Sequence, residues 1–455
     1  MVPVPLFTLR GHLSNVVNVE VCYLKGPSDL ILVTGDEAGW IIWWNLGTKR
    51  PLAVWKGHDS IIVTLKIIEE NLLLSHSRDS EIKIWKMEDN FPYAKTLPDV
   101  ELKGVSLFLT EKNAAKGKTK NEILLKKYPL PEHVSIPVNS LSFCNVDYKD
   151  GYLITPATLN SNNFDLYFAS FRSTKCDESL NDRFNLKRLA NDVDPWKLYK
   201  KSEKYETSRP VNILKRDTFG AMMKVMFVQR NMVFVGYESG DVISIEIEFN
   251  FPIEKLNQHL PETLQKFASE NKVSYNKTLI NKDVTFKLLS LDSSNVPNPI
   301  LSLEFDSYAN SVISGSAGKK VTFHKLPLSH DVYHCNLRHA GSLSISANKD
   351  TFVVAFWDGV VKGCLRNGQE KFKIAERLPR IGELETNSGQ AEEKGKSNYM
   401  KIGTVKLVDF SYEKNLNTKY KYLIKQKRDI KNNDLLVCGY ENGIVKIFKL
   451  MDDCL

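Results

Sequence analysis

No run of eighteen apolar residues occurs anywhere in this 455-residue sequence. The best stretch, 221–237, is broken by Lys224, Gln229 and Arg230, so no membrane-spanning helix is expected. The opening MVPVPLFTLRGH has neither a basic n-region nor a long apolar segment, and no secretory signal is expected from it. Cysteine is sparse and unpaired in pattern. Cys22, Cys144, Cys176, Cys335, Cys364, Cys438 and Cys454 are scattered, odd in number and without a C-x-x-C, which suits reduced thiols in cytosol or nucleus. Charge of one sign is also lacking: 62 Lys and Arg stand against 54 Asp and Glu. An apolar content of 42% with 25% charged residues excludes wholesale disorder.

What is present is repetition. LRGHLSNVVNVEV leads through LILVTG to DEAGWIIWWN, and WKGHDSIIVTLKI leads through NLLLSHS to RDSEIKIWK. Each copy runs Gly-His, an alternating apolar stretch, a small-residue strand, a turn, and a strand ending in Trp plus a polar residue. Gly11-His12 and Gly57-His58 lie 46 residues apart, close to the roughly 40–45 of a WD40 unit. Weaker copies follow around 138–170, 221–247, 299–326, 338–365 and 401–450, with turns such as ESGD, SAGK, WDG and ENG between strands of period-2 alternation. Amphipathic helices between the strands are missing. The expectation is an all-β chain, a single seven-bladed WD40 β-propeller spanning 1–455.

Four-stranded blades cannot bury both faces alone, so they stack in a ring with short protected edges. The last recognisable strand ends at Leu450, which leaves no room for an outer strand. Val4 to Leu9 precedes the first Gly-His with no other partner, so the N-terminal segment is expected to close the last blade. Residues outside the repeats are assigned to insertions at about 88–134, 172–215, 250–297, 366–400 and 411–433. The spacing at Leu264 and Phe267 predicts a helix in the third of these. Two stretches are basic: 111–127 has six Lys against two Glu, and 413–431 has seven Lys and Arg against two acids. Solvated loops explain them most simply; as contacts to an acidic partner, Lys116, Lys118, Lys126 and Lys127 are the candidates.

Catalytic signatures are mostly wanting. Gly117-Lys118-Thr119 ends like a phosphate-binding loop, but Lys112 stands where the first Gly is needed and no apolar strand leads in. No G-x-S-x-G elbow exists, and Cys176 has no surroundings of an activated thiolate. His330, His334, Cys335 and His339 lack the paired spacing of a zinc site, and His339 takes the Gly-His slot of the sixth unit. Hence no cofactor, no metal and no enzymatic activity are expected. In the WD40 family a loop His, a strand Ser or Thr, a turn Asp and a strand Trp form one hydrogen-bonded network. His58, Asp79 and Trp85 fill three of these places in unit two, and Ser77 is taken as the fourth. Unit one has Ala38 six residues before Trp44, so its network is expected to be incomplete. Alternation puts Trp40 and Trp44 on one strand face and Trp43 on the other. Trp44 is assigned to the core, while Trp40 and Trp43 are candidate interface anchors.

The opening is more specific than a general WD40 match. LRGHLSNVVNVEV, LVTGDEAGWIIWWNL, WKGHDSIIVTL and LLSHSRDSEIKIWKM together resemble the ASTRA-associated protein 1 family of fungi, whose animal relatives are described as G-protein β-subunit-like. The Gly35-Asp36-x-x-Gly39 turn and the Ser75-His76-Ser77-Arg78-Asp79 strand end carry the resemblance, which is strong over about 6–87 and returns at GYENGIVKIFKL. It implies a non-enzymatic nuclear scaffold subunit of the ASTRA complex, a chromatin-linked assembly with a PI3K-related pseudokinase, HEAT-repeat cochaperones and RuvB-like ATPases. Two other readings are open. One is a ubiquitin-ligase substrate receptor, although the Trp-Asp-x-Arg ending of such propellers is absent. The other is nucleic-acid binding through the basic loops, which lack interleaved aromatics.

Overall fold

A computed structural model describes residues 3–23, 30–46, 49–69, 72–87, 130–139, 143–171, 179–202, 217–250, 284–327, 332–377, 399–408 and 434–450. These form seven four-stranded antiparallel sheets. Blade 1 takes β2 (Val16–Tyr23), β3 (Leu30–Asp36), β4 (Trp40–Asn45) and β5 (Arg50–Lys56). Blade 2 takes β6 (Ile62–Glu69), β7 (Leu72–Ser77), β8 (Glu81–Lys86) and β9 (His133–Pro137). Blade 3 takes β10 (Asp147–Lys149), β11 (Tyr152–Pro156), β12 (Phe164–Phe171) and β13 (Phe184–Val193). Blade 4 takes β14 (Met222–Gln229), β15 (Met232–Tyr237), β16 (Val242–Phe249) and β17 (Val284–Asp292). Blade 5 takes β18 (Ile300–Asp306), β19 (Ser311–Ser316), β20 (Lys320–Lys325) and β21 (Val332–Asn336). Blade 6 takes β22 (Ser342–Asn348), β23 (Thr351–Phe356), β24 (Val360–Leu365) and β25 (Glu370–Ala375).

Blade 7 is built from both ends of the chain. Its β26 (Ile402–Val408), β27 (Leu435–Tyr440) and β28 (Ile444–Lys449) are completed by β1 (Val4–Arg10). The register runs from Val4 opposite Lys449 to Arg10 opposite Ile444, as the unpartnered N-terminal segment predicts. The blade 7 turn then locks onto blade 1: Gly443 has φ +78°, and a Cβ there would stand 2.1 Å from the His12 carbonyl oxygen. Only glycine permits both the backbone conformation and that approach.

The strand sequences explain their places. Second strands such as LLLSHS, SVISGS, TFVVAF and LLVCGY are buried at every position. They lie in blades covered on both faces by neighbours, so they are near-continuous apolar runs rather than alternating ones. Outer strands such as HVSIP and EKFKIA alternate between buried and exposed. A separate hydrophobic cluster fills every interface between neighbouring blades. Blades 1 and 2, for instance, meet through Ile41, Trp43, Trp55, Leu73 and Trp85, with the Trp55 and Trp85 rings edge to face at 5.7 Å. At about 1.5–3 kcal/mol per fully buried large side chain, these interfaces supply much of the drive for closure.

Several outer strands fall inside stretches that the sequence assigns to insertions. β9 begins within 88–134, β13 lies within 172–215, β17 within 250–297 and β25 within 366–400. In β9, β17 and β25 the apolar pattern is diluted by solvent-exposed positions, and in β13 by the charged Lys187 and Arg188 within its buried stretch. Two helices, α1 (Leu180–Arg183) and α2 (Pro195–Lys201), flank β13. α2 starts on a Pro at its first turn, with the Asp194 side chain accepting from the Trp196 and Lys197 amides. The helix anticipated around Leu264 and Phe267 lies outside the described residues.

Candidate functional site

In blade 2 a chain of hydrogen bonds links four side chains. The Trp85 Nε1–H donates to the Ser75 hydroxyl at 2.7 Å, and that hydroxyl lies 2.6 Å from His58 Nε2. His58 Nδ1 is 2.9 Å from Asp79 Oδ2, so the proton assigned to Nδ1 points at the carboxylate. Asp79 also accepts from the Asp59 and Glu81 amides. Burial would raise the Asp79 carboxyl, but the His58 hydrogen bond, the imidazole charge and the two amides outweigh it and hold it at about 2. Three of the residues named from sequence therefore meet. The fourth does not: Ser77 only receives the Asp79 amide at 3.4 Å, and Ser75 is the hydroxyl between His58 and Trp85. Strand alternation places both serines on one face, and position 75 lies opposite the Trp85 ring nitrogen.

Unit one is also corrected. His12 Nδ1 is 3.0 Å from Asp36 Oδ2, His12 Nε2 is 2.6 Å from the Thr34 hydroxyl, and Trp44 Nε1–H donates to Thr34 at 2.9 Å. The network is complete, with its acid two residues nearer the strand than the Trp-based count allows. Asp36 still caps the turn, accepting from the Ala38 and Trp40 amides. The sequence did contain the signal: Thr34 and Ser75 each stand ten residues before their Trp. Blade 6 keeps a reduced version, with His339 Nδ1 2.7 Å from Asp358 Oδ2. Blade 3 substitutes Arg188, whose guanidinium donates to the Tyr167 hydroxyl at 2.6 Å and lies 3.3 Å from Asp165. A buried acid or imidazole is tolerable only when satisfied in this way; these clusters hold turns against strands.

The proposed Trp anchors are not at the surface. Trp40 is 3% exposed and Trp43 is 1% exposed. Trp40 packs with Ile42 and Trp44 against blade 7, and Trp43 with Ile41 against blade 2, because the strand between them is covered on both sides. Lys116, Lys118, Lys126 and Lys127 lie outside the described residues.

The first strands of the blades line a central cavity of about 340 Å³. Its wall carries Glu20, Lys66, Asp147, Lys224, Glu304 and Lys406. Most of these join one blade to the next: Lys66 pairs with Asp147, and Lys406 lies 3.5 Å from Glu20. Nearby Glu20 raises the Lys406 amine, whereas burial lowers that of Lys224. Cys144, Cys335, Cys364 and Cys438 are buried and outside any disulfide, and burial pushes Cys364 up to about 12, far from a reactive thiolate. Among the described residues no group of His, Cys, Asp and Glu has the arrangement of a metal site.

Seven stacked four-stranded blades, fastened by the N-terminal strand and pinned by His-Asp-hydroxyl-Trp networks, define a β-propeller of the WD-repeat type. A match to the family described as ASTRA-associated protein 1 spans residues 5–448. The chain belongs to that family. ASTRA-associated protein 1 of Debaryomyces hansenii is 44% identical, over 99% of this chain and 100% of that one. The Scheffersomyces stipitis protein of the same name is 32% identical, over 98% and 99% of the two chains. Among solved structures, the Cps50 (Swd1) beta-propeller domain of Myceliophteria thermophila superposes with a TM-score of 0.51 at 10% identity, over 98% of this chain and 99% of that one. Chaetomium thermophilum Raptor gives 0.51 at 10% identity, over 98% of this chain and 29% of its own length. These two likenesses concern the fold alone.

Proposed function

We propose that this chain is a non-enzymatic scaffold subunit of a nuclear ASTRA assembly. Its partners are then a PI3K-related pseudokinase, HEAT-repeat cochaperones and RuvB-like ATPases, and its role is in chromatin-linked kinase assembly. The observation that carries the reading is the family match across 5–448, together with 44% identity over the full length of a relative bearing the ASTRA name. The geometry supports it. The charged and imidazole-bearing clusters described above are spent on holding turns and joining blades, and a closed ring presents two broad faces to other proteins.

Nucleic-acid binding is the second reading, favoured by the basic stretches 111–127 and 413–431. Purification of the tagged full-length chain from nuclear extract, at high salt and after nuclease treatment, separates the two. The scaffold reading expects the pseudokinase and cochaperones to remain bound. Their loss, with DNA retained only at low salt, overturns it, because phosphate contacts weaken steeply as salt rises.

A further inference from the structure

Six of the seven tryptophans are buried, and Trp357 is 48% exposed. It begins the turn between β23 and β24, and its amide donates to the Gly341 carbonyl at 3.1 Å. Its indole lies against the backbone of Gly341: a Cβ there would stand 2.3 Å from Trp357 Cδ2, and φ at Gly341 is +75°. Gly341 in turn donates to the carbonyls of Ala317 and Gly318 in the blade 5 turn. One face of the ring is thus fixed on small residues while the rest stays open. A single exposed aromatic is ordinary. An aromatic already held in place, with little rotamer freedom left to lose on binding, is the kind of group that dominates interfaces.

Three cations share its corner of the ring, while one acid, Asp358, follows it in sequence and is held by His339. The Leu337 amide donates to the Lys319 carbonyl, which brings the start of β20 beside the loop that carries Arg338 and Gly341. Lys319, Lys320 and Arg338 are exposed, and their side chains form no ion pair with a described residue. The acids nearby are engaged. Asp358 holds His339 and the Val360 amide, Glu376 holds Lys446, and Glu441 accepts from the Lys401 amide.

We propose that this corner of blades 5 and 6 is a docking site for an acidic protein segment. An apolar side chain of the segment would lie on the Trp357 indole, and its carboxylates would meet Lys319, Lys320 and Arg338. A single-stranded nucleic acid is the poorer fit, because one isolated aromatic offers no succession of stacking platforms. The site goes beyond the assembly reading and does not rest on it.

Short random peptides displayed on phage are selected on the isolated full chain, with no selection against any variant. Binding of the enriched peptides is then measured by fluorescence anisotropy. The expected pool carries clustered Asp or Glu beside a large apolar residue. Its affinity falls at least about tenfold in Trp357→Ala and again in Lys319→Glu/Arg338→Glu, with melting unchanged in both variants. A pool indifferent to Trp357, a pool without acids, or displacement by an equal concentration of single-stranded oligonucleotide overturns the proposal. Failure here leaves the co-purification result untouched, so the two readings fall separately.

Discussion

Asp36 and Ser77 occupy the same place in consecutive blades, yet only Asp36 reaches its blade's histidine. Asp36 lies opposite Val16 and Ser77 opposite Ile62, each at the last residue of the second strand. In blade 2 the acid has moved two residues on, to Asp79, and Ser77 is left to receive an amide. Asp36→Ala should therefore cost as much as Asp79→Ala, roughly 1–3 kcal/mol, because each leaves a buried imidazole without its acceptor. Glu37→Ala should stay within about 0.5 kcal/mol, the exposed Glu37 carboxylate meeting the Asn15 side-chain amide; Ser77→Ala should cost less than either acid, since it removes only a 3.4 Å contact with the Asp79 amide. Urea unfolding of the four variants checks the order; an Asp36→Ala variant as stable as Glu37→Ala would contradict the blade 1 network.

Trp43→Ala should behave as a core deletion. The ring fills the space between blades 1 and 2 at 1% exposure, so a loss of about 3–5 kcal/mol is expected. Chemical unfolding measures it. A change below 1 kcal/mol, on the order of a surface substitution, would return Trp43 to the surface.

Removing residues 1–10 takes away the whole of β1 and exposes β28 as an unpaired edge. The expected result is aggregation or a large fall in melting temperature. A truncated chain that stays monodisperse and melts with the parent would show that the clasp is dispensable.

Acid should weaken the fold before its carboxylates titrate. Burial, with the charges of His58 and Lys224 adding to it against the pull of Asp79, lowers His76 to about 3. Burial lowers His324 to about 4, with Asp292 opposing and His334 adding. Their folded pKa values lie below the unfolded 6.5, so the unfolded chain binds more protons in between. The stability they contribute is complete above pH 6.5 and is lost as pH falls toward 4 and then 3. Asp79, held at about 2 against an unfolded 3.8, adds its own loss only below that higher value. His76→Leu should flatten the dependence of melting temperature on pH between neutrality and the onset of carboxylate titration. An unchanged slope would show that His76 keeps its ordinary affinity for protons.

The fold was legible because buried second and third strands write themselves as apolar runs, and because Gly-His recurs at 11–12 and 57–58. The outer strands were harder. FNLKRLANDV in blade 3 buries four consecutive residues, Lys187 and Arg188 among them, and its register shifts against its partner, so no clean alternation is left. Counting back from Trp85 found Asp79, but the same count from Trp44 landed on Ala38, since the turn can draw its acid from either of two positions. Trp40 and Trp43 show a further limit. Alternation tells which side of a strand a ring leaves from, and in a ring of stacked blades both sides are interior.

The clasp also has a mechanical character. Val4 lies opposite Lys449, so the first and last strands of the chain begin their pairing at the same end. A load applied between the two termini would peel β1 from β28 one rung at a time, like a zipper. Strands gripped at opposite ends would have to shear all their hydrogen bonds together. The ring is accordingly weak against tension between β1 and β28, and a tether meant to leave it closed belongs at one terminus only.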